Sequence, residues 1–294
     1  MTPGDAATVE LLVSFGPDEQ DMVHTIHHQT FKNGSQTYFN SSRFFPPVIR
    51  DDVYVLYGFV RTADNFVDSI PQDPVGFYGF VERYRRALSG EPVDDPILDS
   101  FVELSNRKGF PQSWTDAFLH SMELDLTKSV HATLPEMLEY VYGSAEVIGL
   151  YMARILNLPE ETYQPARLLG RAMQVINFIR DIHEDNSLGR IYLPIAESSL
   201  PDLTQTTAHR HPDEFRRFVR EQLARYYEWQ AAAEAGYAGI PRRYRAPIRT
   251  AGDMYKWTGR VIADDPYVVF RRKVKPSKQR IVARGLRNLL DPTR

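Results

Sequence analysis

Gln174-Val-Ile-Asn177-Phe-Ile-Arg180-Asp181-Ile-His-Glu-Asp185 carries the pattern that decides the fold. Gln174, Asn177, Asp181 and Asp185 stand at offsets 0, 3, 7 and 11. On a helix turning about 100° per residue, those offsets share one face. Val175, Ile176, Phe178, Ile179 and Ile182 make much of the remaining circumference apolar, so the spacing predicts a buried helix with one polar stripe. Carboxylates on such a helix need a compensating cation, because an unpaired charge in a low-dielectric interior is costly.

The pattern occurs a second time, upstream. In Tyr57-Gly-Phe-Val-Arg61-Thr-Ala-Asp64-Asn-Phe-Val-Asp68 the polar residues fall at offsets 0, 4, 7 and 11, flanked by Phe59, Val60, Phe66 and Val67. One Asp-x-x-x-Asp pair alone reads most simply as a solvated helix face. Two such stripes on strongly apolar helices do not, since like charges four residues apart oppose the helix and burial adds to the cost. Mg²⁺ suits them, being a hard cation that takes carboxylate oxygens and shares its remaining sites with water and phosphate. Two acidic stripes brought face to face would grip a diphosphate through such ions.

The rest of the chain supports an all-α reading. Apolar residues recur at helical spacing, as in Phe215, Phe218, Val219, Tyr226 and Trp229, or Met254, Trp257, Val261 and Ile262, while strand alternation is nearly absent. Helices are predicted near 17–31, 48–68, 74–88, 112–130, 134–156, 160–186, 212–236, 243–263 and 267–289, punctuated by many of the 20 prolines. No Gly/Ser-rich linker, repeat or low-complexity tract divides the 294 residues, which predicts one helical-bundle domain over 1–294.

Composition narrows the chemistry. With no cysteine, disulfides, thiolate metal sites and thiol nucleophiles are excluded, and any metal must be held by oxygen or imidazole. A net charge of −3 gives no global reason to expect nucleic acid as a partner. The N-terminal stretch lacks a signal-peptide pattern and no window is apolar enough to span a bilayer, so a cytoplasmic protein is expected, with peripheral membrane contact at most. Charge is nonetheless skewed at the C-terminus, where 271–294 holds nine Lys/Arg against the single acid Asp291. That segment reads equally well as a solvated basic helix and as a surface for an anion or a membrane. His24 and His28 lie four apart beside His27 but have no third ligand in register, and read as an exposed helix face.

At these residues the chain resembles the squalene/phytoene synthase family, the head-to-head trans-prenyltransferases with the all-α isoprenoid synthase fold. Asp64-x-x-x-Asp68 and Asp181-x-x-x-Asp185 look like its two Asp-rich motifs, and Gln174-x-x-Asn177-x-x-Arg180-Asp181-x-x-x-Asp185 with Gly189-Arg190-Ile-Tyr192-Leu-Pro194 like its most specific signature. Ser35-Gln-Thr37-Tyr38 with Arg43-Phe-Phe-Pro46, Tyr140-x-Tyr142-Gly143-Ser-Ala145-x-x-x-Gly149 and Pro266-Tyr267-x-x-Phe270-Arg271 follow in family order, so the likeness spans about 30–278. Two positions depart from the pattern. Gly34 stands where members often have a serine after histidine, and Glu146 where many have glycine, which leaves the width of that part of the tunnel open.

The resemblance implies condensation of two prenyl diphosphates, with two or three Mg²⁺ ions, through a cyclopropylcarbinyl diphosphate to a 1-1′-linked hydrocarbon. It favours geranylgeranyl diphosphate and phytoene, with NADPH needed only for a squalene product. The alternatives are a squalene or dehydrosqualene synthase using farnesyl diphosphate, and a noncatalytic assembly factor on the same fold, which the intact aspartates argue against. Asp64, Asp68, Asn177, Asp181 and Asp185 are the implied metal ligands. Arg61, Arg180 and Arg271, with Ser35 and Thr37, are implied to meet diphosphate; Gln174, Tyr57 and Tyr267 orient substrate or line the cation pocket. Gly143, Ala145 and Gly149 either make room for a prenyl chain or let helices pack closely. Whether the protein is a monomer or a homodimer is open.

Overall fold

The computed structural model describes residues 45–290. Ser35, Thr37, Gly34 and the histidines 24, 27 and 28 lie outside the described residues. The described chain is helical, and its one extended pairing is an isolated parallel bridge between Val130 and Ile191.

Helix α1 (Pro47–Asp68) starts on a proline, whose missing N–H costs nothing in a first turn. Its Phe59, Ala63 and Val67 are fully buried. Phe59 stacks on Phe101 with ring centres 3.8 Å apart, and Phe80, Tyr84 and Phe118 close around it. These partners come from α2 (Pro74–Leu88), α3 (Pro96–Lys108) and α4 (Gln112–Thr127). Anchored on that face, α1 turns its Tyr57–Asp68 stripe the other way. The periodicity above missed α3, although its signals are in the sequence: Asp95 caps the N-terminus, Pro96 opens the first turn, and Gly109 ends it at φ 63°.

Helices α5 (Leu134–Val141) and α6 (Val147–Ile155) are joined without a break by a π-turn, Tyr142–Glu146. Next comes α7 (Tyr163–Arg180), then α8 (Ile182–Ser187), where one continuous helix over 160–186 was expected. The interruption is slight. Asp181 leaves helical geometry, yet its N–H still bonds Asn177 and its carbonyl accepts from Asp185, both at 2.8 Å. Beyond α9 (Gln205–Arg210), the long α10 (Pro212–Ala235) packs along α7, and α11 (Arg242–Asp264) follows. The helix expected over 267–289 divides into α12 (Val268–Arg271) and α13 (Lys278–Leu290), because Arg272 is extended and Pro276 follows.

Glycine lets the π-turn region and α7 touch. A Cβ on Gly149 would sit 2.2 Å from the Ala166 carbonyl oxygen, and one on Gly170 2.3 Å from that of Ala145. On the other side, a Cβ on Gly143 would meet the Ala117 oxygen at 2.0 Å. Close packing is thus the reason for Gly143, whereas Gly149 and Ala145 do both jobs, since they also line the central cavity. Gly149→Ala is expected to cost about 1–3 kcal/mol by forcing these backbones apart, read as a lower midpoint in urea unfolding. An unchanged midpoint would show that the contact relaxes freely.

Candidate active site

An apolar cavity of ≈ 340 Å³ lies between α1, the π-turn and α6, α7 and α11. Val53, Leu56 and Val60 line it from α1, Ile148 and Met152 from α6, Ala166, Leu169 and Met173 from α7, and Ile248 and Ala251 from α11. Its polar lining includes Tyr57, Gln174 and Asn177. Each is about one or two helical turns from Asp64 or Asp181, and Arg190 joins the far ends of the two stripes: its side chain donates to Asp68 at 2.9 Å and its backbone N–H to the Asp185 carbonyl at 2.8 Å. Both stripes also sit where a helix ends, with Asp68 the last residue of α1 and Asp181 the cap of α7. At Asp68 the partial negative charge of a helix C-terminus adds to that of the carboxylate, whereas at Asp181 the hydrogen-bond ladder runs on into α8.

The cost of this arrangement shows in the titration of its acids. Burial first, then the neighbouring Asp68, pushes Asp64 up to about 7 against the lowering pull of Arg61. Burial, then Asp181 and Glu184, pushes Asp185 up to about 8. Asp64 keeps 30% of its side-chain surface accessible, so solvent still reaches it. In the folded, metal-free state both acids hold protons that an unfolded chain, titrating near 3.8, has released. Stability from this source is full below pH 3.8 and lost as pH rises through 7 and 8. The thermal midpoint of chelator-treated protein is therefore expected to fall between pH 5 and 8.5, and a midpoint rising across that window would contradict the placement.

Cations already present partly offset these acids. Arg61 pairs with Asp64, Arg180 with Asp181 at 2.5 Å, and Lys273 with Glu184 and, at 3.4 Å, with Asp181. Arg190 donates to Asp68 at 2.9 Å and to the Val67 carbonyl at 2.6 Å. No group of three His, Asp or Glu side chains among the described residues converges as a ready metal cage. The donor set nevertheless fits a hard cation: it is all oxygen, and the buried Asn177 Oδ1 has no hydrogen-bond partner.

A network unmarked in the sequence stands behind Arg190. Asp125, at the end of α4, is 6% exposed and accepts from Tyr192 at 2.6 Å and Tyr140 at 2.7 Å. Burial pushes it up to about 6 despite those hydroxyls and Arg190. The Val130–Ile191 bridge lays the strap after α8 against the segment after α4, which brings Arg190 and Tyr192 to Asp125. Gly189, at φ 72°, makes the left-handed turn that starts the strap. Asp125 has no carboxylate three or four residues away, so stripe spacing does not single it out, and neither Arg190 nor Lys273 stands in a stripe.

One open point is decided, and two expectations need revision. Glu146 does not narrow the cavity: it is 1% exposed, pairs with Arg167 at 2.9 Å and Arg171 at 2.7 Å on α7, and is absent from the lining. Tyr267 does not line the cavity either. Its hydroxyl donates to the Ala208 carbonyl at 2.9 Å, and its ring packs on His209, Phe215 and Phe270. Arg271 pairs with Asp265 beside it, in a separate pocket shared with Gln205, His209 and Arg216.

A model of the squalene/phytoene synthase family matches residues 31–280. The chain belongs to that family. It is 28% identical over 262 residues to a 15-cis-phytoene synthase from Paracoccus sp., with 85% of each chain covered. A 15-cis-phytoene synthase from Pantoea ananas is 26% identical over 248 residues, with 79% of each covered. Among solved structures, a dehydrosqualene synthase complex superposes with a TM-score of 0.79 at 20% identity, over 92% of this chain and 96% of that one. A squalene synthase from Alicyclobacillus acidocaldarius gives 0.76 at 21% identity, over 86% and 97%. The fold is that of this family, and the chain is a prenyltransferase. Among the described residues no helix is long and apolar enough to cross a membrane.

Proposed function

We propose that the protein joins two geranylgeranyl diphosphates head to head, giving phytoene and releasing diphosphate with Mg²⁺. The observation that carries this reading is an apolar cavity lined by two helices whose acidic stripes are joined at their far ends by Arg190. Such a site suits a ligand with a hydrocarbon body and an anionic, metal-binding head.

Asp64, Asp68, Asp181 and Asp185, with Asn177, would hold the ions. Bound Mg²⁺ supplies charge neutralisation for departing diphosphate. Arg61, Arg180 and Arg190 then exchange their carboxylate partners for diphosphate oxygens, which the planar guanidinium fork suits. Tyr57 is pushed by burial up to about 12 and stays protonated, so it donates a hydrogen bond and does not act as an anionic base. Gln174 orients the reacting ends, and the apolar wall of α1, α6 and α7 keeps water from the allylic cation. The second double bond can then attack, and proton loss closes the cyclopropylcarbinyl diphosphate. A second ionisation, rearrangement and proton loss complete phytoene.

Purified protein incubated with Mg²⁺ and either C15 or C20 diphosphate, with and without NADPH, tests the reading. Phytoene from the C20 substrate, unaffected by NADPH, is the expected outcome. A C30 hydrocarbon from the C15 substrate alone would move the assignment to dehydrosqualene or squalene, and no hydrocarbon at all would favour an assembly role.

A further inference from the structure

Helix α13 is apolar on two sides. Ile281 and Gly285 are buried with Asn288, and this face holds α13 on α11: Asn288 donates to Thr250 at 3.1 Å and Asp253 at 3.0 Å, Arg284 pairs with Asp253 at 2.6 Å, and Arg280 lies over the Trp257 ring. Beside that docked face runs a second apolar stripe. Val282, Leu286, Leu289 and Leu290 follow one another at offsets 0, 4, 7 and 8, and are 49%, 53%, 49% and 84% exposed. One or two exposed leucines would need no explanation; four on one flank of one helix form a patch.

Among the described residues of 271–290 the unpaired charge has one sign. The 271–290 segment contains no Asp or Glu, and Arg272, Lys275, Lys278 and Arg287 are exposed without an ion pair among the described residues. A helix that joins an apolar flank to unpaired cations suits the boundary between anionic headgroups and acyl chains, where the two contributions add. The same charges would oppose the approach of a second basic copy of α13.

We propose that this outer flank of α13 is a docking surface for an anionic phospholipid bilayer. The placement is independent of the reaction assigned above. It puts the bilayer on the back of α11, whose other face, through Ile248 and Ala251, lines the cavity.

Co-sedimentation of the full chain with vesicles decides it, using phosphatidylcholine alone or mixed with phosphatidylglycerol, at low and high salt. The protein is expected to pellet with the phosphatidylglycerol vesicles and to be released by salt. Leu286→Ser with Leu289→Ser should weaken binding at least about tenfold, from the lost apolar burial, with an unchanged thermal midpoint. Arg272→Gln with Lys275→Gln and Arg287→Gln should abolish the preference for phosphatidylglycerol. Protein that stays in the supernatant, or serine and glutamine variants that bind like the parent, would overturn the proposal. So would light scattering showing a dimer that Leu286→Ser with Leu289→Ser dissociates, with no vesicle binding by the parent, because the flank would then serve a second copy.

Discussion

Asp181→Asn and Asp64→Asn are each expected to lower Mg²⁺-dependent diphosphate release by about 10³-fold or more, while Asp64→Asn leaves the folded protein as stable as the parent. The two halves of that result have different causes. Metal-borne charge stabilisation contributes several kcal/mol to a transition state that expels diphosphate, and ~4 kcal/mol corresponds to about a thousandfold in rate. The fold has the opposite interest in Asp64, whose raised value means that its surroundings disfavour the charged form even with Arg61 paired to it. A neutral amide of the same shape removes that repulsion. Continuous diphosphate release and a thermal melt without metal measure both halves. Near-normal turnover would remove the metal assignment, whereas lost turnover with a collapsed midpoint would make the aspartate structural.

Asp125→Ala is expected to lower stability by about 3–5 kcal/mol, the range for removing one partner of a buried charged network. At roughly 2–4 °C per kcal/mol for chains of this general size, the midpoint should fall by about 6–20 °C. The alanine leaves the Tyr140 and Tyr192 hydroxyls buried without an acceptor, and Arg190 without one of its two nearby carboxylates. Because Arg190 also holds Asp68 and the Val67 carbonyl, the loss should reach the end of α1. Asp125→Asn keeps the shape and an acceptor, so it should restore most of the midpoint. Equal midpoints for Asp125→Ala and the parent would show that the network contributes nothing net to the fold.

Much of the fold was legible because its signals are local. Phe59 and Ala63, or Val175, Ile176 and Ile179, declare a buried helix face within a few residues, and the polar stripes declare the other face. Helix α3 is equally legible, but from its end signals Asp95, Pro96 and Gly109 and not from apolar periodicity. Of the candidate site, the four aspartates, Asn177 and Gln174 stand out by offset; Asn177 and Gln174 line the cavity, and the aspartates lie beyond its lining. The tunnel width at Glu146 stayed open for a physical reason: sequence shows that a carboxylate stands in a small-residue helix, but not that Arg167 and Arg171 on another helix draw it out of the lining.

The sequence by itself determined that the chain folds into helices, that two of them carry acidic stripes, and that any metal among these donors is oxygen-ligated. Those properties follow from spacing along one helix and from the absence of cysteine, and need no knowledge of what packs where. Only the tertiary structure decided that Arg190 meets Asp68 across 122 residues, that Asp125 lies beneath Tyr140 and Tyr192, and that Tyr267 and Arg271 occupy a pocket of their own. Such partners are chosen by strap turns and bridges, through Gly189 and the Val130–Ile191 pair, whose effect on distant side chains appears only when the chain is folded.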